Sequence, residues 1–344
     1  MVSIATTMRP LFRSRNSRQC PGLTSMAKIL GTVSVALLIF GLWTRSESSR
    51  IKPQLVKYVA TNFTEPYTFT NHIEGPAVDF KGNFYAVNYA EDGTIGKASR
   101  FGRLSLFARL PAGSVGNGIR FNEEGEMFVA DAEGKSIIRI NKNGKSVTTF
   151  AQHPKMHAPN DLAITTRGIL FATDPNFENN NGSLWRIMPD GDVTVLEEGL
   201  GTTNGVEVNP EETILYVGES AEQRVLAYDL SPSGVLSNKR VFLAMNETNL
   251  YLDGIRCDVE GNLYIALYNR GAVLKVSPQG EVLKRIHLVG DKVANVAFGG
   301  HDGCTIFATV RDSGNVQSFR VELPGRSYYM WLPRKHRKSK KCLY

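Results

Sequence analysis

Along most of the chain, polar and apolar positions alternate in short runs cut by glycine, and the pattern returns at a nearly fixed distance. Six segments share it: EGPAVDFKGNFYAVN, NGIRFNEEGEMFVAD, NDLAITTRGILFATD, NGVEVNPEETILYVGES, DGIRCDVEGNLYIALY and NVAFGGHDGCTIFATV. They begin at Glu74, Asn117, Asn160, Asn204, Asp253 and Asn295, in steps of 43, 43, 44, 49 and 42 residues. Each reads as a polar residue, a short strand, a glycine turn, a second strand and then a third. The long step predicts a longer outer hairpin around residues 231–239. A period of 40–50 residues with strand alternation is that of a propeller blade. One such unit cannot bury its own apolar faces, but six in a closed ring bury every face and leave few open edges. An open solenoid would need capping units, and none is visible. The expectation is an all-β, six-bladed β-propeller over residues 51–325, with an early strand at residues 56–60 completing the last blade.

The first position of every repeat is a carboxylate or a carboxamide: Glu74, Asn117, Asn160, Asn204, Asp253, Asn295. Asn-Gly and Asp-Gly are common turn dipeptides, and three repeats start that way. Repeats one and three read Glu-Gly-Pro and Asn-Asp-Leu instead, and apolar strand formers follow the polar residue throughout. The polar residue therefore opens the innermost strand, which faces the central channel of a propeller. Repetition aims six oxygen donors with two formal charges at one axis. Such a set suits a hard divalent cation, Ca²⁺ first, because calcium accepts mixed carboxylate and amide oxygens. Mg²⁺ and Zn²⁺ are the alternatives, zinc being disfavoured because no His or Cys shares the position.

Charge changes the picture at the two ends. The chain of 344 residues has a net charge of +7, yet residues 1–50 hold seven basic residues and one acid, and residues 326–344 hold seven basic residues and no acid. The 275 residues between them are therefore acidic, at −6. A nucleic-acid-binding body would need a basic face of its own, so nucleic acid is not an expected partner. Residues 29–44 are uncharged and mostly apolar, and five basic residues in residues 1–28 precede them. That is a signal anchor or the h-region of a signal peptide. The uncleaved anchor is favoured, because Arg45, Ser46 and Glu47 follow in place of a small-residue cleavage site. Either reading puts the propeller in the secretory pathway or cell envelope: luminal, extracellular or periplasmic on a membrane anchor, or secreted. Asn62, Asn181 and Asn246 open glycosylation sequons permissive of that location. The four cysteines match no zinc pattern. A Cys257–Cys304 bridge is open, with inert core thiols favoured. In residues 326–344, aromatic residues followed by a basic run suit either a membrane interface or a solvated tail after the last strand, the second being favoured. Nothing in the sequence sets the oligomeric state.

The ring residues also bring a family into view. Glu74-Gly75-Pro76, Pro159-Asn160-Asp161, Thr203-Asn204-Gly205 and Leu252-Asp253-Gly254 resemble the SMP-30/gluconolactonase/LRE-like family, in order and at blade spacing, between about residues 73 and 310. Ala172-Thr173-Asp174-Pro175 is similar to a Thr-Asp-Pro stretch of its bacterial members. The resemblance implies a six-bladed hydrolase with a divalent metal in the channel. By motif, Glu74, Asn160, Asn204 and Asp253 match the metal-site positions, and Asp253 matches the catalytic carboxylate. Asn117, Asn160, Asp161 and Asn295 would line the channel, and Asp174 and Glu178 would reach its mouth. Ala158, beside His157, stands where animal gluconolactonases carry an arginine, so the resemblance does not extend to sugar-lactone specificity. The basic and apolar N-terminal segment is more similar to paraoxonases and strictosidine-synthase-like propellers.

The function expected is metal-dependent hydrolysis of a small-molecule lactone or related ester. The cation would polarise the carbonyl, and Asp253 would act as general base or nucleophile. No G-x-S-x-G elbow occurs, and the six histidines form no triad; His157 fits a surface turn better than the pocket mouth. The alternative is a non-catalytic scaffold in which the cation pins the blades, with a lyase-type propeller as a third reading. An open channel above the cation would favour an enzyme, and a plugged one a scaffold.

Overall fold

A computed structural model describes residues 56–99, 102–332 and 342. The apolar segment 29–44 lies outside the described residues. Among the described residues, no helix is long and apolar enough to cross a membrane.

The strands form six four-stranded antiparallel sheets, each built from strands consecutive in sequence except the last. The first five blades run Phe69–Arg109, Gly116–Gln152, Leu162–Leu200, Thr203–Ala244 and Tyr251–His287. The sixth takes three strands from the C-terminal end (Val293–Gly299, Thr305–Val310 and Asn315–Arg320), and its outer strand is Thr61–Asn62. That strand pairs Thr61 with Ser318 and Asn62 with Gln317, so the first strand of the chain latches the last blade. The expected latch at 56–60 is shifted a few residues on; before it, Lys57 bridges to Arg320 and the Tyr58 N–H donates to the Arg320 carbonyl at 3.0 Å. The longer step after the fourth repeat is explained by the outer hairpin of Arg224–Leu230 and Leu236–Ala244.

Local chemistry fixes the hairpins. Five residues after the ring position in blades one to five stand Asp79, Asn122, Thr165, Asn209 and Asp258, each just past its inner strand. Each side chain accepts backbone N–H bonds across the turn, as Asp79 does from Lys81 and Asn83 at 2.9 Å, and Asn209 from Thr213 and Ile214 at 2.8 Å. Short polar side chains of this kind stabilise turns against continued strand. Inner strands such as Thr203–Val208 are wholly buried, whereas outer ones such as Leu104–Arg109 are largely exposed. The core is divided into six apolar clusters, one between each pair of neighbouring blades, including blade six against blade one. Truncating a large apolar residue in any one of them costs about 2–5 kcal/mol.

Two expectations for the C-terminal side are corrected. Residues 326–332 are folded on the propeller and do not form a solvated tail. A short helix, α1 (Arg326–Met330), buries Arg326 and Met330, and Trp331 packs on the cluster between blades two and three. Arg326 belongs to the interior because Glu207, Glu212 and the Ile164 carbonyl receive its guanidinium. Cys304 is bonded to Cys342, not to Cys257. Cys257 lies in the core between blades four and five, where burial pushes its thiol pKa up, so it is an inert core thiol as favoured above. The bridge spends the two thiols of the one His/Cys/Asp/Glu cluster of metal-ligating size among the described residues, Asp302–Cys304–Cys342.

Candidate active site and cation centre

The ring residues sit where the inner strands bulge. Register shifts bracket or adjoin Glu74, Asn117, Asn204, Asp253 and Asn295. In blade three Asn160 lies just before its inner strand, Leu162–Ile164, held by its N–H on the Thr173 carbonyl at 2.8 Å. A bulge breaks the ladder and re-aims a side chain, which turns these groups from the blade faces toward the axis. The glycine after the ring residue keeps the ring tight. A Cβ on Gly75 would lie 1.9 Å from the Asn117 carbonyl oxygen, and one on Gly205 would lie 2.4 Å from that of Asp253. The Asn-Gly and Asp-Gly pairs therefore serve blade-to-blade contact at the axis, not turns.

Glu74, Asn117, Asn160, Asn204 and Asp253 line one cavity of about 570 Å³. Asn295, the sixth ring residue, does not line it. It is buried, its Oδ1 accepts the Val296 N–H at 2.9 Å, and its carboxamide favours the ionised form of Glu74. Asn295 is thus a support for Glu74.

The two carboxyls are held in an environment that resists their ionisation. Burial pushes the Glu74 pKa up to about 7, against the opposing Arg311 charge and the Gly75 N–H. Burial, and then the neighbouring Glu74 charge, push Asp253 well above the usual carboxylate range, against Arg311 and a hydrogen bond from Asn204. The carboxamide oxygens of Asn117 and Asn204 are buried without a hydrogen-bond partner. A buried acceptor left unpaired is costly, and two on one cavity beside two carboxyls make a donor set suited to a cation. The donor set fits a hard divalent ion: oxygen only, mixed charge, and no His or Cys among the lining residues.

Two expected channel residues are placed elsewhere. Asp161 is fully buried, and its carboxylate is spanned by Arg120 at 3.2 Å and Arg256 at 3.0 Å. Burial alone would raise its pKa, but the two guanidiniums outweigh that and hold it below the usual range. It closes the channel beneath the ring and does not face the cavity. Asp174 is buried as well. It accepts N–H bonds from His157 and Ala158, the latter at 2.6 Å, and the Trp185 Nε1–H at 2.9 Å. It clamps the segment that delivers Asn160. Glu178 is exposed and Phe177 takes the wall position; His157 is exposed, its ring against the Pro175 carbonyl.

Sequence reasoning missed the upper wall: Arg311, Tyr251, Tyr268, Phe177, Asn180 and Thr202. A signal existed. The second strand of a blade runs antiparallel to the first, so its last residues return to the face where the ring residue starts. Tyr268 ends such a strand in blade five, and Arg311 directly follows one in blade six. Among the described residues Arg311 is the one cation lining the cavity, with its Nε–H fixed on the Asn71 carbonyl at 2.8 Å. The channel is thus open above the ring and plugged below it.

A family model described as "SMP-30/Gluconolactonase/LRE-like region" matches residues 74–311. A gluconolactonase of Zymomonas mobilis is 26% identical over 341 residues, covering 88% of this chain and 94% of that protein. Regucalcin of Bos taurus is 31% identical over 193 residues, covering 53% of this chain and 64% of its own length. Among solved structures, a calcium-binding regucalcin from Agrobacterium tumefaciens superposes with a TM-score of 0.68 at 19% identity, over 77% of this chain and 93% of its own. At that identity the likeness is one of fold.

Proposed function

The chain belongs to the SMP-30/gluconolactonase/LRE-like family, and from that premise we propose that it is a metal-dependent hydrolase of lactones or related esters. Lactone hydrolysis is the role its lactonase relatives support at family level. The observation behind the finer reading is the cavity floor: two carboxyls and two unpartnered carboxamide oxygens under an open mouth.

Glu74, Asn160, Asn204 and Asp253 are the residues to hold the cation, with calcium preferred and magnesium or zinc the alternatives. A divalent cation held there supplies the charge that keeps both carboxyls ionised and stabilises negative charge building on a carbonyl oxygen. Asp253 is the general base that takes a proton from water, steadied by the Asn204 hydrogen bond. Asn117, whose carboxamide oxygen also lacks a partner, lines the cavity beside them. Arg311 meets the carboxylate released by ring opening. Phe177, Tyr251 and Tyr268 give the upper wall aromatic surface, which suits a lactone with an apolar flank. Ala158 leaves the third motif without an arginine, so Arg311 is the cation available for specificity.

The setting proposed is the secretory pathway or cell envelope, with the N-terminal segment as membrane anchor. The Cys304–Cys342 bridge fits an oxidising compartment, and Asn62, Asn181 and Asn246 are all solvent-exposed, as glycan acceptors must be. The test is a panel of lactones and aryl esters assayed with calcium, with chelator, and with Asp253→Asn. Metal-dependent turnover lost in the variant supports the reading. A folded, calcium-loaded protein that turns over none of the panel refutes it for those substrates and leaves a scaffold with a structural cation.

A further inference from the structure

The six sectors of the ring do not meet the cavity alike. Blades one to five each present their ring residue to it, whereas Asn295 of blade six is withdrawn. Two side chains from the returning strands take that sector, Tyr268 and Arg311. Alternation along a strand fixes the side on which Tyr268 stands. In Leu263–Tyr268, Tyr264 and Ala266 pack into the core between blades five and six, so Tyr268, next in that series, lies toward blade six. The Lys292 backbone joins the two residues: it bridges to Tyr268, and its carbonyl accepts the Arg311 N–H at 2.9 Å. Tyr251, the cross-strand partner of Tyr268, fills the wall beside it, two residues before Asp253. The hydroxyls of Tyr85, Tyr228 and Tyr328 are committed to Asp79, Glu197 and the His301 carbonyl. That of Tyr268, on the cavity wall, carries no such commitment among the described residues. Burial raises the Tyr268 pKa, and of the charges that act on the phenol Arg311 lowers it, against Asp253, Glu74 and Asp312.

Opening a lactone moves two protons. Water attacking the carbonyl gives up one, which Asp253 takes. Rupture of the ring C–O bond leaves an alkoxide, which needs one. An alkoxide is a far stronger base than a phenolate, so a positioned phenol can supply that proton. We propose that Tyr268 is the general acid of ring opening: as the C–O bond breaks, its hydroxyl proton passes to the departing oxygen and the hydroxy acid is released. The phenolate left behind lies in the field of the Arg311 guanidinium. It recovers its proton through solvent from the one Asp253 took, so both groups return to their starting states. The inference rests on the hydrolase reading and assigns its second proton transfer.

Tyr268→Phe removes one hydroxyl and keeps the ring. It is compared with the wild type on δ-valerolactone and on the thiolactone in which sulfur replaces the ring oxygen. A thiol ionises at about 8.5, so the thiolate departs without a proton and the alkoxide does not. In Tyr268→Phe, kcat/KM is expected to fall about 10²–10³-fold for the lactone and less than about fivefold for the thiolactone. Crystals of the wild type with calcium and the hydroxy acid product are expected to place the product's alcohol oxygen within hydrogen-bond reach of Tyr268 Oη. A folded wild type that opens neither substrate would defeat the hydrolase reading, and the inference with it. With an active wild type, a lactone loss under about tenfold, an equal loss on both substrates, or a product alcohol held away from Tyr268 would each overturn the assignment and leave the hydrolase reading standing.

Discussion

Removing the proposed cation is expected to expose a pH dependence of stability that originates in Glu74. In the metal-free fold its pKa is about 7, against 4.5 in an unstructured chain. A raised carboxyl pKa means that the folded state holds its proton more tightly. The contribution is fully present below pH 4.5 and is lost as pH rises through 7. At about 1.36 kcal/mol per pKa unit, roughly 3 kcal/mol of stability disappears across that window. For a propeller of this size that is a fall in midpoint of about 5 °C. Asp253 is shifted in the same direction and adds to it. The assay is thermal unfolding in chelator from pH 5 to 8, on the wild type and on Glu74→Gln, which keeps the shape and cannot ionise. Asp258, whose pKa is also raised by burial, is common to both proteins and cancels in the difference. The wild type is expected to lose its stability relative to Glu74→Gln as pH rises, and calcium is expected to restore it by replacing protons. A difference between the two that stays flat, or that favours the wild type at pH 8, would refute the burial argument for Glu74.

Three further outcomes are expected. Asp174→Ala strips the acceptor from two backbone N–H groups and Trp185 Nε1, so the midpoint falls by the equivalent of about 2–4 kcal/mol, and turnover falls further because Asn160 is no longer held; unfolding curves and kcat on the same samples check this. Arg311→Met is expected to raise KM about tenfold or more and to weaken inhibition by the hydroxy-carboxylate product, with Arg311→Lys in between; equal product inhibition in all three would count against a carboxylate contact. Expression in a eukaryotic secretory host is expected to yield a glycosidase-sensitive mass shift lost in an Asn62→Gln, Asn181→Gln, Asn246→Gln triple variant, and an unshifted, fully reduced protein would count against that location.

The ring was legible because six copies of one signal stand at blade spacing, and symmetry turned a weak dipeptide into an axial set. The alternation of apolar positions gave the blades for the same reason. What could not be read was what depends on geometry between repeats. Asp161 looks like a channel residue by motif, yet the partners that pull it down, Arg120 and Arg256, lie 41 and 95 residues away. Arg120, Glu207 and Arg256 share one place, the last residue of NGIR, NGVE and DGIR, which is visible once the ring is known. Arg311 and Tyr268 were missed because they belong to the returning strand, whose ends carry no common residue type. Arg326 looked like part of a basic tail because charge counting does not see the buried Glu207 and Glu212 that receive it. Cys342 gave no sign of pairing with Cys304, since closure of that loop depends on how residues after the last strand fold back.

One cation on the ring is proposed both to bind and to drive hydrolysis, and calcium titrated into chelated protein, with bound calcium and lactone turnover followed on the same samples, tests both at once for the wild type, Glu74→Gln and Asp253→Asn. One calcium per chain is expected, with superimposable binding and activation curves in the wild type. Glu74→Gln is expected to weaken binding at least about tenfold, and folded Asp253→Asn to lose about 10²–10⁴-fold in turnover at saturating calcium. Turnover undiminished in chelator, or calcium binding unaffected by Glu74→Gln, would refute a catalytic cation on the ring.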